Sequence, residues 1–377
     1  MKISHITCYE VMVPPHEGVV AGKGIEKPLH KLPVGARPGW SVQFDEIPKL
    51  IIKMELDNGI IGWGECYRGH NWQVVEDIIQ VLLGQDIREM SLQALPFTFC
   101  REYDGFECAI WDAFAKSHDM RVVDLLGGPV REWVKAGAWS SHRHITEVGG
   151  LAKKYQDQGY DCIKFKCDLE DDVVGWCREI KDAAPGMMVI LDPNERWETS
   201  GDTRRRIDGL MEVGNVLCLE DPIPRWQLHE YKRLRDYGSV PIVLHVSLPY
   251  ILHGQRIEDA IKALQAEAVD GFNFNCGLAN FQKLDHIATA AGLPCWHGSE
   301  VDLGILEAMY VHSVAAAKSC IWPSDIFGTM IRSHDLLKEP LTINPPFIKL
   351  PEGPGLGVEP DELAIKEFLK TTKRYSI

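Results

Sequence analysis

Short apolar runs alternate with amphipathic or polar helical stretches through the middle of this chain. Five runs end on a polar or charged residue, and these residues are spaced 26, 28, 25 and 30 positions apart. This spacing is about the length of one strand, one helix and two loops, which is the period of a (β/α) barrel. Side chains at successive strand ends of such a barrel converge on one mouth. The five residues are Lys166, Asp192, Glu220, His245 and Asn275.

The N-terminal part follows a different pattern. Ile3–Val13 is predicted to be a strand, and residues 50–65 form a predicted hairpin that turns at Asn58-Gly59. Asn-Gly favours this turn because it supplies the positive φ values that a tight hairpin needs. Two helices follow, without the barrel period. This part is therefore a separate α+β domain.

With 377 residues, the chain is long enough for one barrel of about 250 residues and a second domain. We predict an α+β capping domain at 1–127, followed by a (β/α)7β modified TIM barrel at 128–335. A tail at 336–377, rich in Pro and Gly at its start, is predicted to pack back on the capping domain.

Composition narrows the class of partner. The formal net charge of −14 argues against nucleic acid and against an anionic membrane, since both call for a basic face. A small anionic substrate remains compatible, because a metal ion and two lysines reverse the sign locally. Eleven scattered cysteines, mostly inside apolar runs, indicate a reducing compartment. With no secretion signal and no apolar run of ~18 residues, we expect a cytoplasmic protein.

Lys164 and Lys166 share one predicted strand. Two residues apart, they point to the same face, and in a barrel strand that face is the interior. Buried lysines without partners are costly, so the pair favours a functional site. Next to a metal, each lysine lowers the pKa of the other, and the outer one can act as a general base. The alternative is a pair of lysines on an exposed strand face.

Asp192, Glu220 and His245 end three consecutive predicted strands and are the candidate metal ligands. Carboxylates at neighbouring strand ends can reach one cation, and oxygen ligands suit Mg²⁺ or Mn²⁺. A His245 imidazole would shift the preference toward a transition metal. Alternatively, His245 only packs or hydrogen-bonds. Asn194, two residues after Asp192, is a candidate second-layer or substrate-binding group.

Several motifs, in order and spacing, resemble the enolase superfamily, in particular its mandelate racemase and muconate-lactonizing members. They are LLGG, CIKFKCD, ILDPNERW, LCLEDPIP, PIVLHVS and GLPCWHGSEVDLGI. The resemblance implies that Lys166 abstracts the proton α to a carboxylate and that Lys164 neutralises that carboxylate. It further implies that Asp192 and Glu220 bind a divalent metal that stabilises the enediolate. We also expect a small carboxylate substrate and a homo-oligomer.

The chain departs from the family pattern at three strands. The fifth strand offers His245 where an acid is usual, and the sixth offers Asn275 where cycloisomerase-like members carry a second lysine. His297 resembles the catalytic histidine of racemase-like members but falls one position early. Asn275 is predicted to bind substrate. Further predicted substrate-binding residues are Trp40 and His30, in the cap loop, and Asp302.

Three functions follow. The first is dehydration of a sugar acid, with Lys166 as base and His297 as the acid that assists loss of the hydroxyl. The second is an epimerase, racemase or cycloisomerase that uses the same two residues on opposite faces. The third is a non-catalytic relative that binds an acid, a reading favoured by the missing fifth-strand carboxylate. We favour dehydration, because the sixth strand lacks a lysine to pair with Lys166.

Overall fold

The computed structural model describes residues 1–19, 48–197, 199–249 and 255–377. Trp40 and His30, predicted to contact substrate, lie outside these ranges. No helix among the described residues is both long enough and apolar enough to cross a bilayer. All eleven cysteines are free thiols, and all but Cys100 are buried.

An antiparallel four-stranded sheet and two helices form the capping domain, and the predicted hairpin joins its second and third strands at Gly59. Helix α2 (Tyr103–Ser117) packs closely on strand β3 (Ile61–Cys66): a Cβ on Gly62 would lie 2.1 Å from Ala109 O, so only glycine permits this approach. The last strand of the chain pairs with the first. In the order β14-β1-β2-β3, the strands are β14 (Leu369–Ser376), β1 (Ile3–Val11), β2 (Lys49–Leu56) and β3 (Ile61–Cys66). The helices are α1 (Trp72–Leu82), α2 (Tyr103–Ser117) and a short 3-10 helix (Ile87–Glu89).

A parallel sheet of seven strands follows the predicted period, with neighbours in chain order. These strands are β5 (Ala138–Ser140), β6 (Cys162–Lys166), β7 (Met188–Asp192), β8 (Val216–Glu220), β9 (Ile242–Ser247), β10 (Gly271–Asn275) and β11 (Cys295–His297). The helices between and after them are α4 (Ile145–Asp157), α5 (Val173–Ala183), α6 (Ser200–Val213), α7 (Leu228–Arg235), α8 (Ile257–Gln265), α9 (Leu278–Ala291) and α10 (Gly304–Ala316).

Single bridges connect the two edges of this sheet. Cys320 pairs in parallel with Cys295 on β11, and Ser324 pairs in parallel with Ala136, just before β5. The segment from Cys320 to Ser324 thus occupies the place of an eighth strand, although it is not a regular strand. Seven regular strands agree with the predicted (β/α)7β barrel. Its eighth strand remains a prediction.

The remaining elements lie around the barrel. A small sheet joins the start of the barrel to the C-terminal segment. Its strands are β12 (Ile343–Asn344), β13 (Phe347–Lys349) and β4 (Trp133–Lys135), and the short helices are α3 (Val122–Leu125), α11 (Gly328–Ile331) and α12 (Glu362–Glu367).

Capping-domain carboxylates fix this domain to the barrel helices. Glu65 on β3 accepts the N–H groups of Leu303 and Leu306 at the start of α10, at 2.8 and 3.0 Å. Glu107 on α2 accepts the Ala279 N–H at 3.2 Å, at the start of α9. The side-chain oxygens thereby satisfy N–H groups that have no partner within the first turn of each helix. The cap is thereby held beside the sixth and seventh barrel strands.

Candidate active site

Strand β6 carries both predicted lysines on the barrel interior. Lys164 and Lys166 alternate with buried apolar residues, so their side chains leave the strand on the same face. The Lys164 Nζ lies 2.6 Å from Glu220 Oε2 and 2.8 Å from Asp325 Oδ2. A third carboxylate oxygen, Asp192 Oδ2, is 3.3 Å away. An ammonium group therefore lies where three carboxylates converge.

The surrounding charges separate the proton affinities of the two lysines. Although burial opposes it, the carboxylates of the three acids around Lys164 raise its pKa well above the ordinary value. Burial lowers the pKa of Lys166, and the charge of Lys164 adds to this effect against the attraction of Asp192. The Lys166 side chain is 16% exposed and that of Lys164 only 4%. Lys164 therefore stays protonated, while Lys166 is more accessible and loses its proton more readily.

Asn194 holds Lys166 and Asp192 in place. Its Oδ1 accepts a hydrogen bond from Lys166 Nζ at 3.0 Å, and its backbone N–H donates to Asp192 Oδ1 at 3.0 Å. Lys166 and Asp192 also form a direct ion pair. Asn194, predicted from the sequence to bind substrate, therefore supports Lys166 and the neighbouring carboxylate.

The two carboxylates at the ends of β7 and β8 fit a cation. Asp192 and Glu220 are both fully buried. Burial and the charge of Asp192 raise the pKa of Glu220 to about 8. Despite burial, Lys166 and Lys164 lower the pKa of Asp192 well below its usual range. Carboxylates buried this close together repel each other, and a divalent cation beside them would offset that repulsion.

His245 lies next to this pair. Its Nδ1 is 3.4 Å from Glu220 Oε1, and its backbone N–H donates to Asp221 Oδ1 at 2.9 Å. Burial lowers the pKa of His245 well below its ordinary value, and the nearby Arg225 and Lys164 reinforce this, so the imidazole is neutral. Over the described ranges, no three His, Cys, Asp or Glu side chains surround a point closely enough to hold one metal ion. The ligand role of His245 therefore stays a prediction.

Two residues of this site were not predicted from the sequence. Asn273 Nδ2 donates to Glu220 Oε1 at 2.8 Å and lies 3.5 Å from Asp325 Oδ2. Asn273 is two residues before Asn275 on β10, and that alternation was the available signal for an inward position. Asp325 follows Ser324 at the barrel closure, in a stretch with no apolar run that would mark a strand end. We call Lys164, Lys166, Asp192, Glu220 and Asp325 the charged side of the mouth.

The ladder register identifies the residue that faces Lys166 across the mouth. Lys166 pairs with Asp192 on β7, and Glu220 on β8 pairs with Val243 on β9, which pairs with Gly271 on β10. Continuing the Leu191–Leu219 pairing by one residue aligns Asp192 with Glu220, so the path from Lys166 leads to Gly271. For a barrel with the predicted eight strands and a shear of 8, half a turn displaces the register by about four residues. Asn275 lies four positions beyond Gly271 and is therefore level with Lys166. We infer that an amide lies opposite Lys166.

Asn275 is buried and held on both sides. Its Oδ1 accepts a hydrogen bond from the Tyr67 hydroxyl at 3.3 Å, and its Nδ2 lies 3.5 Å from Ser247 Oγ. Gly298 directly follows β11, the strand next to β10. A Cβ built on Gly298 would lie 3.1 Å from Asn275 Cβ, so Gly298 also faces the interior. We call Tyr67, Ser247, Asn275 and Gly298 the neutral side of the mouth.

His297 does not face the mouth, which corrects its predicted catalytic role. It pairs with Phe274, and its ring lies between those of Phe281 and Tyr310, with centroid distances of 4.4 and 4.0 Å. Its Nδ1 lies 2.7 Å from Gly298 O, and burial lowers its pKa to about 4. The inward positions of this strand are those of Trp296, whose ring lies 5.8 Å from Lys164 Nζ, and Gly298. His297 therefore belongs to the helix layer.

Asp302 also lies away from the predicted role in substrate binding. Its carboxylate forms a buried ion pair with Lys49 and accepts hydrogen bonds from Tyr310 at 2.6 Å and Ser299 at 3.1 Å. Lys49 in turn contacts Glu65 at 2.5 Å. This network connects the capping domain to the loop after β11. Its contacts indicate a structural role for Asp302.

Comparisons with known proteins agree with this fold. The family model described as "Enolase C-terminal domain-like" matches residues 147–364. The model described as "Mandelate racemase / muconate lactonizing enzyme, N-terminal domain" matches residues 43–127. Together they match the barrel and the capping domain.

Individual relatives differ in reaction. The chain is 28% identical to D-galactarolactone cycloisomerase of Agrobacterium fabrum, over 87% of this chain and 93% of that protein. The structure of N-succinyl Arg/Lys racemase from Bacillus cereus is similar with a TM-score of 0.82 and 21% identity, covering all of both chains. The structure of the dipeptide epimerase from Cytophaga hutchinsonii, complexed with Mg and D-Ala-L-Val, is similar with a TM-score of 0.80 and 19% identity. The match covers 99% of this chain and 100% of that chain. Further relatives are named muconate cycloisomerase and o-succinylbenzoate synthase.

Proposed function

Because this chain belongs to the mandelate racemase and muconate lactonizing enzyme group of the enolase superfamily, we propose that it is a one-base cycloisomerase. Its substrate would be a lactone with a free carboxylate, an α-proton, and the ring oxygen on the β-carbon. This replaces dehydration, the function favoured from the sequence, because the names of the relatives fit an isomerase better.

One feature carries the choice between reactions: from the strand register we infer that Asn275, an amide, lies level with Lys166 on the opposite side of the mouth. An amide neither takes nor gives a proton at ordinary pH, and Gly298 next to it has no side chain. Racemisation requires an acid or base on each face of the α-carbon. Dehydration requires an acid for the leaving hydroxyl, and His297 lies in the helix layer.

Opening a lactone by elimination needs only one base. Lys166 Nζ takes the α-proton, the α and β carbons form a double bond, and the bond from the β-carbon to the ring oxygen breaks. The leaving group is a carboxylate, which departs as a stable anion without being protonated. Reversal of these steps closes the ring. The charged side supplies the base, and the neutral side needs no acid.

Lys164 and the carboxylate pair serve the substrate carboxylate. Because Lys164 stays protonated, its positive charge attracts the substrate carboxylate and keeps it beside Lys166. Asp192 and Glu220 would hold a divalent cation, Mg²⁺ or Mn²⁺, which would stabilise the negative charge that develops on the substrate carboxylate as the α-proton leaves. Asn194 and Asn273 keep the two acids oriented.

If His245 is the third ligand, it alters the choice of metal. A neutral imidazole gives the site one negative charge fewer than a carboxylate and favours Mn²⁺, Co²⁺, Ni²⁺ or Zn²⁺ over Mg²⁺. Calorimetric titration of metal-free protein tests this, with His245→Asp expected to move the preference toward Mg²⁺ and His245→Ala to weaken Mn²⁺ binding. Unchanged affinities in both variants would remove His245 from the ligand set.

The proposed reaction is tested by proton NMR in D₂O with the metal-loaded protein and a panel of lactones derived from dicarboxylic acids. The matching open-chain hydroxy acids form the control panel. We expect ring opening, or ring closure from the unsaturated diacid, together with exchange at the α-carbon. Loss of water from an open-chain acid, with no action on any lactone, would contradict the proposal.

A second candidate is a racemase or epimerase, which is favoured by the likeness to the N-succinyl Arg/Lys racemase structure. Racemisation requires an acid or base opposite Lys166. Among the described residues, the strand ends on the neutral side carry no such group. Inversion at the α-carbon of an acyl amino acid or dipeptide would establish it.

A further inference from the structure

The neutral side of the mouth joins the two domains through one hydrogen bond. Tyr67 follows β3 of the capping domain and is fully buried, and its hydroxyl donates to Oδ1 of Asn275 at the end of β10. The amide of a barrel residue is thus oriented by a side chain from the cap. With Oδ1 turned toward Tyr67, the Nδ2 group is the part of the amide left to face the mouth and Ser247.

The surroundings keep Tyr67 a hydrogen-bond donor. Burial raises the pKa of Tyr67 well above its usual value, and the carboxylate of Asp104 adds to this effect. The hydroxyl is therefore protonated throughout the ordinary pH range. The hydroxyl has a single proton, which Asp104 also attracts. With that proton directed at Oδ1, the Tyr67 hydroxyl favours the orientation in which the two N–H groups of Asn275 face the mouth.

An N–H donor at this position matches the need of the proposed reaction. When the bond between the β-carbon and the ring oxygen breaks, negative charge appears on the side of the substrate away from Lys166. A preoriented donor at the place where charge develops lowers the barrier more than one that must first turn. Asn275 is level with Lys166 and across the mouth from it, where this carboxylate would emerge.

We propose that Asn275 Nδ2 binds the carboxylate as it leaves the β-carbon, and that Tyr67 is the positioning residue that orients this amide. The inference rests on the proposed lactone-opening function and deepens it. The balance is unchanged: Lys166 gains the α-proton, the electron pair of that C–H bond forms the double bond, and the electrons of the broken C–O bond stay on the carboxylate that Asn275 receives.

The test separates proton removal from departure of the leaving group. Metal-loaded wild type, Tyr67→Phe and Asn275→Ala are compared in D₂O with the lactone that the wild type opens. Deuterium at the α-carbon of the remaining lactone reports proton removal followed by return, and open-chain product reports departure. We expect the ratio of exchanged lactone to product to rise about tenfold in both variants, the effect of losing or misplacing one hydrogen bond.

Two further variants control for structural effects. Tyr103→Phe removes a hydroxyl from the same domain, one that accepts the Leu95 N–H at 3.4 Å, and should leave the ratio unchanged. Asn275→Asp keeps the size of the side chain but repels a carboxylate, so its ratio should exceed that of Asn275→Ala. Thermal melting identifies any variant that fails to fold.

Two results would overturn the inference, and they are distinguishable. If exchange and product fall together in Asn275→Ala and Asn275→Asp, with the ratio unchanged, Asn275 only supports the fold. If the wild type neither exchanges nor opens any lactone of the panel, the proposed function itself is wrong, and the inference falls with it.

Discussion

The two sides of the barrel mouth are built from opposite kinds of residue. On the charged side, two lysines and three carboxylates share ion pairs at strand ends, and their charges move one another's pKa values. On the neutral side, an amide, two hydroxyls and a glycine meet at the same level. Among the described residues of the mouth, the strongly perturbed lysines and carboxylates lie together on the charged side. Chemistry that uses one face therefore fits this site better than chemistry that uses two.

Removing the base from the charged side should have the largest effect. Lys166→Ala is expected to lower α-proton exchange by about 10²–10⁴-fold, because general-base catalysis contributes that much. Exchange is measured by NMR in D₂O, with Lys154→Ala on the outer helix α4 as the control. Exchange near the wild-type rate in a folded Lys166→Ala protein would assign the base elsewhere.

Behind the neutral side, a buried acid pair should make stability depend on pH. Burial raises the pKa of Asp104 to about 7 and, with the charge of Asp104, that of Glu107 to about 8. Both values exceed those of the unfolded chain, so the folded protein binds more protons between about pH 4 and 8. Stability from these groups is fully present below about pH 4 and is lost as the pH rises through 7 to 8. One pKa unit corresponds to about 1.4 kcal/mol, which sets a scale of several kcal/mol for the pair.

The double variant Asp104→Asn, Glu107→Gln isolates this effect. Its free energy of unfolding, measured with urea between pH 5 and pH 9, should fall less steeply with pH than that of the wild type. Equal slopes in the two proteins would mean that Asp104 and Glu107 have ordinary pKa values in the folded protein, and that their ionisation does not weaken the contacts between the capping domain and the barrel.

A side chain at Gly298 should disturb the neutral side more modestly. A Cβ there would lie 2.4 Å from Asn273 Oδ1 and 3.0 Å from His245 Nε2, so both must move. Gly298→Ala is expected to destabilise the protein by about 1–3 kcal/mol through overpacking. Gly150→Ala, at an exposed position of α4 with nothing within 4 Å of the added Cβ, should instead stabilise by about 0.5–1 kcal/mol. Thermal melting compares the stability of the two variants. An unchanged stability in Gly298→Ala would mean that the site has more space than the structure indicates.

The charged side was largely predictable from the sequence, and the neutral side was not. The constant spacing of strand ends identified Lys166, Asp192 and Glu220, because each closes an apolar run. Asp325 was missed since the segment that closes the barrel pairs only through single bridges. His297 was assigned to the mouth by its resemblance to the histidine of racemase-like members. A strand as short as β11 does not reveal its parity, and a shift of one residue exchanges the two faces. Tyr67 comes from another domain, and no spacing along the chain predicts its contact with Asn275.

The stereochemistry of deuterium incorporation tests the central claim most directly. Substrate recovered after partial reaction in D₂O, and product formed in the reverse direction, are analysed for the configuration at the deuterated α-carbon. The account predicts deuterium on a single face, because among the described residues of the mouth the proposed base lies on the charged side, and it predicts no inverted substrate. Deuterium on both faces, with inversion at the α-carbon, would contradict the account and require a proton-transferring group on the side of Asn275.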